Sequence, residues 1–321
     1  MAVLARILVR QALLLAAVSL AVFLLMKASP VDPVDAYLGA AIAHVGPEQK
    51  AQIAAAWGLD QPVHRQFAAW AGQVLTGNLG FSTAFNAPVA QVLGDRIGAS
   101  LALTGLAWLL SGALGFGLGL LAAAWAGRWP DRTIRAYCYL LAATPTFWLA
   151  VLMLTVLSVR LGWTPVCCAG PIGVPPDQVG LARRLHHLAL PLAALTLFGV
   201  AQVALHTRVK LIEVLQSDYV LLARAQGAGR WDILARHGIR NAALPALTAL
   251  MAGTGEIFGG SILAEQVFAW PGLGRATVEA GMKGDVPLLL AIALLTALVV
   301  STGNMIADRL YRLVDPRMEP A

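Results

Sequence analysis

Charged residues are scarce in this sequence, and their scarcity indicates its class. Asp, Glu, Lys and Arg make up only 12% of the 321 residues, against about 25% in an average soluble domain. Hydrophobic residues make up 58%, and the mean hydropathy is +0.71. Too few charges remain to cover the surface of a globular protein of this size. The composition therefore excludes a soluble fold and indicates a protein whose solvent is the lipid bilayer.

Cysteine is also in short supply. The sequence has three, Cys138, Cys167 and Cys168, too few for a disulfide framework or for a zinc site built from four cysteines. Cys167 and Cys168 share a predicted outer loop with the pair His186 and His187. We favour a loop pair without metal over a metal site, because adjacent residues seldom direct both side chains to one ion. The metal, if one binds, is left unassigned.

Six strongly apolar stretches of the sequence carry no charge. Most reach the roughly 20 residues that a helix needs to cross the hydrocarbon core, and backbone groups in lipid must bond within their own segment. We therefore predict an all-α integral membrane protein with six transmembrane helices. The stretches are Gln11–Met26, Ile97–Gly127, Ala136–Val159, Leu188–Thr207, Asn241–Gly255 and Val286–Ala307. Ile7–Val9 lengthen the first, and the fifth continues past Glu256 to Ala264.

Lys and Arg are distributed unevenly between these stretches. With the N-terminus inside, the inner segments hold 14 of them, and the short outer loops hold 5, namely Arg160, Arg183, Arg184, Arg275 and Lys283. This asymmetry predicts that both termini lie in the cytoplasm. It also accounts for the net charge of +6 without nucleic acid, because the basic residues do not interleave with exposed aromatics. The first stretch lacks a small-x-small cleavage signature, which favours an uncleaved anchor over a signal peptide.

The segment from residue 28 to 96 has a composition of its own, rich in prolines and acids. Pro47 followed by Glu48 is a helix-start signal. We predict a small folded extracytoplasmic subdomain rather than a disordered linker, because five large apolar side chains are available for burial. They are Trp57, Phe67, Trp70, Leu75 and Phe81. The predicted organisation is a first helix at 1–27, the subdomain at 28–96, a five-helix core at 97–313 and a cytoplasmic tail at 314–321.

Several functional motifs are missing. No Gly-x-x-x-x-Gly-Lys-Ser/Thr loop is present, so we expect no ATP-phosphate site in this chain. Gly112, Gly115, Gly117 and Gly119 lie inside an apolar stretch, where Gly115 and Gly119 predict close helix packing rather than nucleotide binding. The sequence also lacks His-Glu-x-x-His and a filter-like polar run, which argues against an intramembrane enzyme and a passive channel.

The inner segment 207–240 carries the strongest local pattern. Ser217 and Asp218 form an N-terminal cap signal, Tyr219–Gln226 a short helix, and Gly227 its stop. A second short helix is predicted over Trp231–His237. Four residues of the first helix share one face: Tyr219, Leu222, Ala223 and Gln226. The pattern predicts a rigid amphipathic projection, which is either a membrane-surface element or a docking element for a partner.

This segment resembles the coupling loop of permease subunits in ATP-binding-cassette importers of the dipeptide, oligopeptide and nickel group. The similar residues are Asp218-Tyr219-Val220, Ala223-Arg224-Ala225-Gln226-Gly227, His237, Arg240-Asn241-Ala242 and Pro245. Further similar residues cover nearly the whole chain: Gly58-Leu59-Asp60-Gln61-Pro62, Gly77-Asn78-Leu79-Gly80-Phe81-Ser82, Pro145-Thr146-Phe147-Trp148, Glu265, Phe268 to Gly274 and Asp315-Pro316-Arg317. One departure is Leu-Leu-Ala at positions 221 to 223, where the wider motif has Glu-Ala-Ala.

The resemblance implies a type I importer permease fold and a set of roles. The implied ATPase-coupling residues are Asp218, Tyr219, Leu222, Ala223, Ala225, Gly227, His237, Arg240 and Asn241. Glu265, Pro271, Gly272 and Gly274 match family motifs without an assigned role. No catalytic residue or cofactor is implied for this chain, since partner ATPases bind ATP and Mg. The implied partners are a second homologous permease, two ATPase subunits or domains, an extracytoplasmic solute-binding protein and lipids of the bacterial cytoplasmic (inner) membrane.

Glu256 is the one acid well inside a predicted span. A carboxylate at the centre of a helix costs about 2.5 to 3.5 kcal/mol on insertion scales, so we expect Glu256 to face the protein interior or a water-filled path. Two interpretations stay open, a residue of the translocation path and a carboxyl bonded to a neighbouring helix. The strings 147–150 and 255–260 are most similar to nickel-importing members, which favours nickel, free or chelated, over short peptides as the solute.

Overall fold

The computed structural model describes residues 2–28, 32–38, 42, 44–252 and 254–314. Its regular structure is almost entirely α-helical, as the composition predicts. The chain divides into two compact units. The first unit comprises Met1–Gly98 and Gly272–Ser301, and the second comprises Ala99–Pro271 and Thr302–Ala321. The predicted cytoplasmic tail, from residue 315 onward, lies outside the described residues.

The helices and strands follow in chain order. The N-terminal elements are α1 (Ala2–Ala28), α2 (Pro33–Leu38), α3 (Pro47–Ala56), α4 (Val63–Leu75), β1 (Phe81–Ser82), β2 (Ala87–Pro88) and α5 (Val89–Ala124). The central helices are α6 (Trp129–Ala143), α7 (Thr146–Met153), α8 (Leu181–Leu215), α9 (Asp218–Ala225) and α10 (Arg230–Ile233). The C-terminal helices are α11 (Ile239–Ala252), α12 (Thr254–Val267), α13 (Leu273–Met282) and α14 (Val286–Val314). Two π-helical turns cover Leu154–Arg160 and Leu234–Gly238.

Among the described residues, three helices are long and apolar enough to cross a bilayer, namely α5, α8 and the part of α14 from Val286 to Ile306. The apolar part of α1, Val9–Leu25, is shorter. The fifth predicted stretch falls on α11 and α12, on either side of residue 253, which lies outside the described residues. The chain is therefore a multi-helix membrane protein, and the count of six spans stays a prediction.

The third predicted stretch, Ala136–Val159, is not one straight helix. It falls on α6 and α7 with its π-helical continuation, and these two helices are bent by 104°. The bend lies at Thr144, whose backbone is extended, with φ −95° and ψ 125°. The following residue is Pro145, which disfavours the α-helical conformation in the residue before it. Pro145 therefore marks the boundary at which α6 ends and α7 begins.

The hairpin and α14 are joined by one buried carboxylate in the first unit. β1 and β2 pair antiparallel, with Ser82 opposite Ala87. Ser82 Oγ donates to Asp285 Oδ2 at 2.5 Å, and the N–H of Ala84 donates to the same oxygen at 3.0 Å. The other oxygen, Oδ1, accepts the N–H of Leu288 at 3.1 Å in the first turn of α14. Asp285 therefore caps the N-terminus of α14 and at the same time holds the hairpin loop in place.

The segment 28–96 is less buried than the sequence predicts. Helix α3 begins at Pro47, as expected, and Phe67 of α4 packs on Phe23 of α1 with ring centroids 5.3 Å apart. However, neither α3 nor α4 has a fully buried residue within the described chain. Three of the five side chains predicted to be buried, Trp57, Leu75 and Phe81, are exposed. The described part of the segment contains the helices α2, α3 and α4 and the β1–β2 hairpin, and the prediction that all five side chains are buried is wrong.

In the second unit, α5 and α8 approach closely where the sequence predicts it. A Cβ placed on Gly115 would lie 2.8 Å from Val203 Cβ, and one on Gly119 would lie 2.5 Å from Thr207 Cβ. No side chain larger than a hydrogen atom fits at such distances without movement of the neighbour. The prediction that Gly115 and Gly119 mediate helix packing is confirmed.

Candidate functional site

The candidate site is the segment that follows α8, where the chain turns into the short helix α9. Ser217 occupies the N-cap position of α9 with extended backbone, φ −73° and ψ 153°. Its Oγ donates to the carbonyl of Val214 at 2.6 Å, and in the described chain it makes no hydrogen bond to an N–H of α9. The predicted position of the cap is correct, but its side-chain bond points back to α8. Asp218 lies in the first turn, where its negative charge is stabilised by the positive end of the helix dipole.

Val220 is the buried residue of α9 and packs the helix against the rest of the unit. Val220 is 0% exposed and packs with Val214 of α8 and Ile233 of α10. Ala223 lies beside this cluster and is partly buried. The sequence pattern grouped Tyr219, Leu222, Ala223 and Gln226 on one face of the helix, and it did not identify Val220 as the buried residue. The spacing of Val220 and Ala223, three residues apart, was the signal that identifies this face.

The opposite side of α9 presents apolar side chains to its surroundings. Tyr219 is 45% exposed and Leu222 is 59% exposed. Asp218, Ala225 and Gln226 are exposed as well. Exposed apolar side chains on a capped helix are a common feature of docking surfaces. The predicted amphipathic helix is therefore present, with Tyr219 and Leu222 on its exposed side.

Gly227 ends α9 in a Schellman motif. Its φ is +90°, in the left-handed region, as predicted for a stop glycine. The N–H of Gly227 donates to the carbonyl of Arg224 at 2.9 Å, and the N–H of Ala228 donates to the carbonyl of Ala223 at 3.0 Å. Ala228 and Ala223 also share the apolar cluster beneath the helix. Both ends of α9 are thus fixed by backbone geometry.

The second predicted helix, Trp231–His237, is not a separate element. Its residues form α10 and a π-helical turn that runs directly into α11. At the end of this turn the ring of His237 lies 5.9 Å from the ring of Tyr219, centroid to centroid. Asn241 Nδ2 donates to the carbonyl of His237 at 2.7 Å. The structure therefore brings Tyr219, His237 and Asn241 together, whereas Arg240 is exposed.

An ion pair near this segment was missed by sequence reasoning. The side chain of Asp131, in the first turn of α6, is 0% exposed and is held by the fork of Arg208 on α8. Arg208 Nη2 lies 2.8 Å from Oδ2 of Asp131, and Arg208 Nε lies 2.5 Å from Oδ1. The N–H of Gly127 donates to Oδ2 at 2.8 Å, and Arg135 Nε lies 3.3 Å from Oδ1. A single acid among Arg128, Arg132 and Arg135 was the available sequence signal.

Helix α12 carries two acids, and the structure describes the side chain of only one of them, Glu265. The side chain of Glu256 lies outside the described residues, so its expected role stays a prediction. Glu265 is 0% exposed, and its Oε1 accepts a hydrogen bond from Ser100 Oγ at 2.6 Å. Nearby, Trp270 Nε1 donates to the carbonyl of Ala99 at 3.0 Å. The buried carboxylate of Glu265 is thus satisfied within the second unit, between α5 and α12.

The remaining family-motif positions lie between α12 and α13. Pro271 is partly buried, and Gly272 occupies the N-cap position of α13 with φ −103° and ψ −175°. Gly274 is buried in the first turn of α13. These residues start a helix, which accounts for their local conformation.

The loop between α7 and α8 holds Cys167 and Cys168, whereas His186 and His187 lie in the second turn of α8, so the prediction that the two pairs share one loop is wrong. Cys167 and Cys168 form a disulfide between adjacent residues. His187 Nδ1 lies 3.1 Å from the carbonyl oxygens of both Cys167 and Cys168. The N–H of Cys168 donates to the carbonyl of Phe268 at 2.9 Å. Within the described residues no cluster of three or more His, Cys, Asp or Glu side chains is placed to hold a metal ion.

Helices long and apolar enough to cross a bilayer, together with a short capped helix that exposes apolar side chains, are the features expected of a membrane transport subunit of the permease class. The chain matches the family described as binding-protein-dependent transport system inner membrane component over residues 115–320. It also matches the N-terminal region of such membrane components over residues 1–104. The chain belongs to this family and is a multi-pass inner-membrane permease subunit of an ATP-binding-cassette importer.

Known relatives agree with this assignment. The oligopeptide transport system permease protein AppB of Bacillus subtilis is 33% identical, covering 92% of each chain. The glutathione transport system permease protein GsiC of Escherichia coli O6:H1 is 35% identical, covering 93% of this chain and 92% of that protein. A chain of the MetNI methionine ABC transporter, solved in inward-facing conformations, shares the fold with a TM-score of 0.57 and 19% identity. That alignment covers 70% of this chain and 97% of the MetNI chain. The predicted resemblance to importers of the dipeptide, oligopeptide and nickel group is confirmed.

Proposed function

We propose that this permease imports short peptides, driven by partner ATPases that dock on α9. The observation that carries the proposal is the geometry of α9, a helix fixed at both ends with the apolar side chains of Tyr219 and Leu222 exposed. In this proposal the motion of the ATPase enters the permease through α9. His237, Arg240 and Asn241 complete the docking region, because His237 contacts Tyr219 and Asn241 bonds to His237. The chain has no ATPase site of its own, and ATP and Mg bind to the partners.

The proposed assembly contains a second homologous permease, two ATPase subunits or domains and an extracytoplasmic solute-binding protein. The proposed topology has six spans with both termini in the cytoplasm, supported by the asymmetry of Lys and Arg. Residues 28–96 then lie outside, residues 207–240 lie inside, and the core runs from 97 to 313. In this arrangement α9 faces the ATPases, and the loop with Cys167 and Cys168 faces the solute-binding protein.

The choice of peptide as the solute is supported by the relatives named for oligopeptide and glutathione transport. Glutathione is itself a tripeptide, so both names describe peptides of modest length. Nickel, which the sequence analysis favoured, stays a prediction that the same experiment tests. The specificity of such an importer depends strongly on the binding protein, which is a separate chain.

Two places are proposed for the translocation path. The first is Glu256 on α12, as the sequence predicts, because an acid at membrane depth needs a polar environment. The second is a cavity of about 360 Å³ in the second unit. It is lined mainly by α8, where Gln202 and His206 provide polar side chains among apolar ones. Both polar residues lie on one side of α8, four residues apart, which suits a path along that helix.

Reconstitution in liposomes tests the proposed function. The permease, its partner permease and its ATPases are assembled with and without the binding protein, and ATP hydrolysis and uptake are measured together. Labelled glutathione, a labelled oligopeptide and Ni²⁺ serve as probes. We expect the binding protein to stimulate ATP hydrolysis and peptide to accumulate. Accumulation of Ni²⁺ without peptide would identify nickel, and not peptide, as the solute. Uptake without ATP would contradict the proposal of ATP-driven import.

Substitution of Glu256 tests the first part of the path. Glu256→Gln removes the charge and keeps the size, so we expect peptide uptake to fall further than the amount of assembled complex. Glu213→Gln on the exposed side of α8 is the matched control, because Glu213 pairs only locally with Lys210 at 2.7 Å among its described ion pairs. Unchanged uptake in Glu256→Gln would assign the carboxyl to helix packing instead.

A further inference from the structure

The pair of Asp131 and Arg208 is connected to α9 by a continuous series of contacts along α8. The Asp131 carboxylate on α6 connects three elements. It pairs with Arg208 of α8 and accepts a hydrogen bond from the N–H of Gly127 in the turn before α6. Gly127 has a φ of +77°. The turn between α5 and α6 is therefore held in one conformation by the same side chain that binds α8.

From Arg208 the series of contacts continues to α9 without a break in the described chain. Helix α8 is continuous from Leu181 to Leu215, and Arg208 lies in its last turns. Val214, on the same helix, packs with Val220 of α9 and Ile233 of α10, and all three are buried. The packing therefore connects α9 to the end of α8, and α8 connects that end to Asp131 through Arg208.

The chemistry of the pair suits transmission better than stability. A buried ion pair adds little net stability, since desolvation of both charges offsets their attraction. Apolar side chains could hold α6 against α8 equally well, and Cys138, Leu141, Ala201 and Ala204 already do so further along both helices. The guanidinium fork of Arg208, by contrast, fixes distance and orientation through two parallel contacts. The arrangement sets the register of the two helix ends.

We propose that Asp131 and Arg208 form a strut that transmits movement of α9 to α6, and that they are positioning residues for the coupling of ATP hydrolysis to transport. The inference rests on the proposed function of α9. It adds that movement of α9 reaches the rest of the permease through the turn between α5 and α6 as well as through α8.

The test compares four variants of the full reconstituted transporter with labelled glutathione as the probe. They are Asp131→Asn, Arg208→Gln, the double variant and Lys210→Gln. The measured quantity is the number of ATP molecules hydrolysed per glutathione imported. Coupling between sites commonly amounts to factors of about 5 to 150, so we expect each single variant to raise this number about tenfold. Lys210→Gln, two residues from Arg208 in an exposed pair with Glu213, is the matched control and should leave it unchanged.

The double variant distinguishes a strut from two independent residues. Residues that act as one unit give non-additive effects, so Asp131→Asn with Arg208→Gln should uncouple no more than either single variant. A wild-type ratio in the single variants, or effects that multiply in the double variant, would overturn the proposal. Should the single variants fail to assemble with the ATPases, Arg208→Lys replaces them. It keeps the charge and removes the fork, so a raised ratio supports the strut and a wild-type ratio refutes it.

The experiment separates this inference from the function on which it rests. Gly227→Val, which acts on α9 directly, is measured beside the four variants. Uncoupling by Gly227→Val together with a wild-type ratio in Asp131→Asn would reject the strut and leave the role of α9 intact. A wild-type ratio in Gly227→Val would instead reject the role of α9, and the strut with it.

Discussion

The aromatic ring of Tyr219 lies 5.9 Å from the imidazole ring of His237, at an interplanar angle of 55°. Tyr219 is the second residue of α9, and His237 lies in the π-helical turn that leads into α11. Val220, the next residue along α9, packs beneath the helix against Val214. Helix α9 is therefore held at two neighbouring residues, from below by Val220 and from the side by the His237 ring.

These contacts predict different consequences for neighbouring residues of α9. Val220→Ala removes two buried methyl groups, at about 0.8 kcal/mol each, so we expect it to destabilise the purified permease by about 1.5 kcal/mol. Leu222→Ala removes an exposed side chain and should leave the thermal midpoint unchanged while reducing the amount of ATPase that copurifies. Thermal unfolding and copurification are measured on both variants. Equal behaviour of the two would contradict the assignment of a buried and a docking side.

The close approach of α5 and α8 gives a second prediction. A Cβ on Gly119 would lie 2.6 Å from the carbonyl oxygen of Ala204 and 2.5 Å from Thr207 Cβ. Overpacking of this kind costs about 1 to 3 kcal/mol, so Gly119→Ala should lower the thermal midpoint. Gly117→Ala is the matched control on the same helix, because no described heavy atom lies within 4 Å of a Cβ at that position. A similar loss in both variants would mean that lipid contact, rather than the approach of α8, determines the effect, because alanine has a higher helix propensity than glycine.

The sequence predicted features that depend on local rules. The left-handed Gly227, the position of α9 and the approach at Gly115 and Gly119 each follow from one residue type at one spacing. The bend at Pro145 was predictable from the same rules, but the apolar run on both sides concealed it, since hydropathy does not report backbone direction.

Features that depend on distant partners were not predictable. Asp131 binds a residue 77 positions away, and Ser100 binds Glu265 across 165 positions. Nothing in the local pattern of either acid identifies its partner. The burial of Val220 has the same origin, because the buried face of a short helix is decided by what packs against it. The exposure of Trp57 and Leu75 shows that an apolar side chain need not be buried within its own chain.

The topology prediction is tested by cysteine labelling. Asp60→Cys, in a background with the three native cysteines replaced by serine, should react with a membrane-impermeant maleimide in intact spheroplasts, because residues 28–96 are predicted to lie outside. Arg236→Cys is the matched control, since its side chain is 75% exposed and its segment is predicted to lie inside. It should react only after the membrane is opened. The reverse pattern at the two positions would invert the proposed orientation.

The last prediction concerns Gly227, which directs the chain out of α9. Its φ of +90° is accessible to glycine, whereas a residue with a Cβ pays roughly 1 to 2 kcal/mol in the left-handed region. No described heavy atom lies within 4 Å of a Cβ built at Gly227, so the penalty of a substitution comes from the backbone and not from a clash. A β-branched residue adds further restriction at χ1.

Gly227→Val should therefore disturb the Schellman motif, in which Gly227 and Ala228 donate to the carbonyls of Arg224 and Ala223. We expect the permease to remain in the membrane while ATP hydrolysis loses its link to uptake, or the ATPases dissociate. Gly229→Val is the matched control, because Gly229 lies two residues away, is exposed, and does not have a positive φ. Uptake at the wild-type rate in Gly227→Val, with the ATPases bound, would exclude α9 as the coupling element. Helix α9 would then be better interpreted as a helix on the membrane surface, held by Val220 and contributing its exposed Tyr219 and Leu222 to lipid.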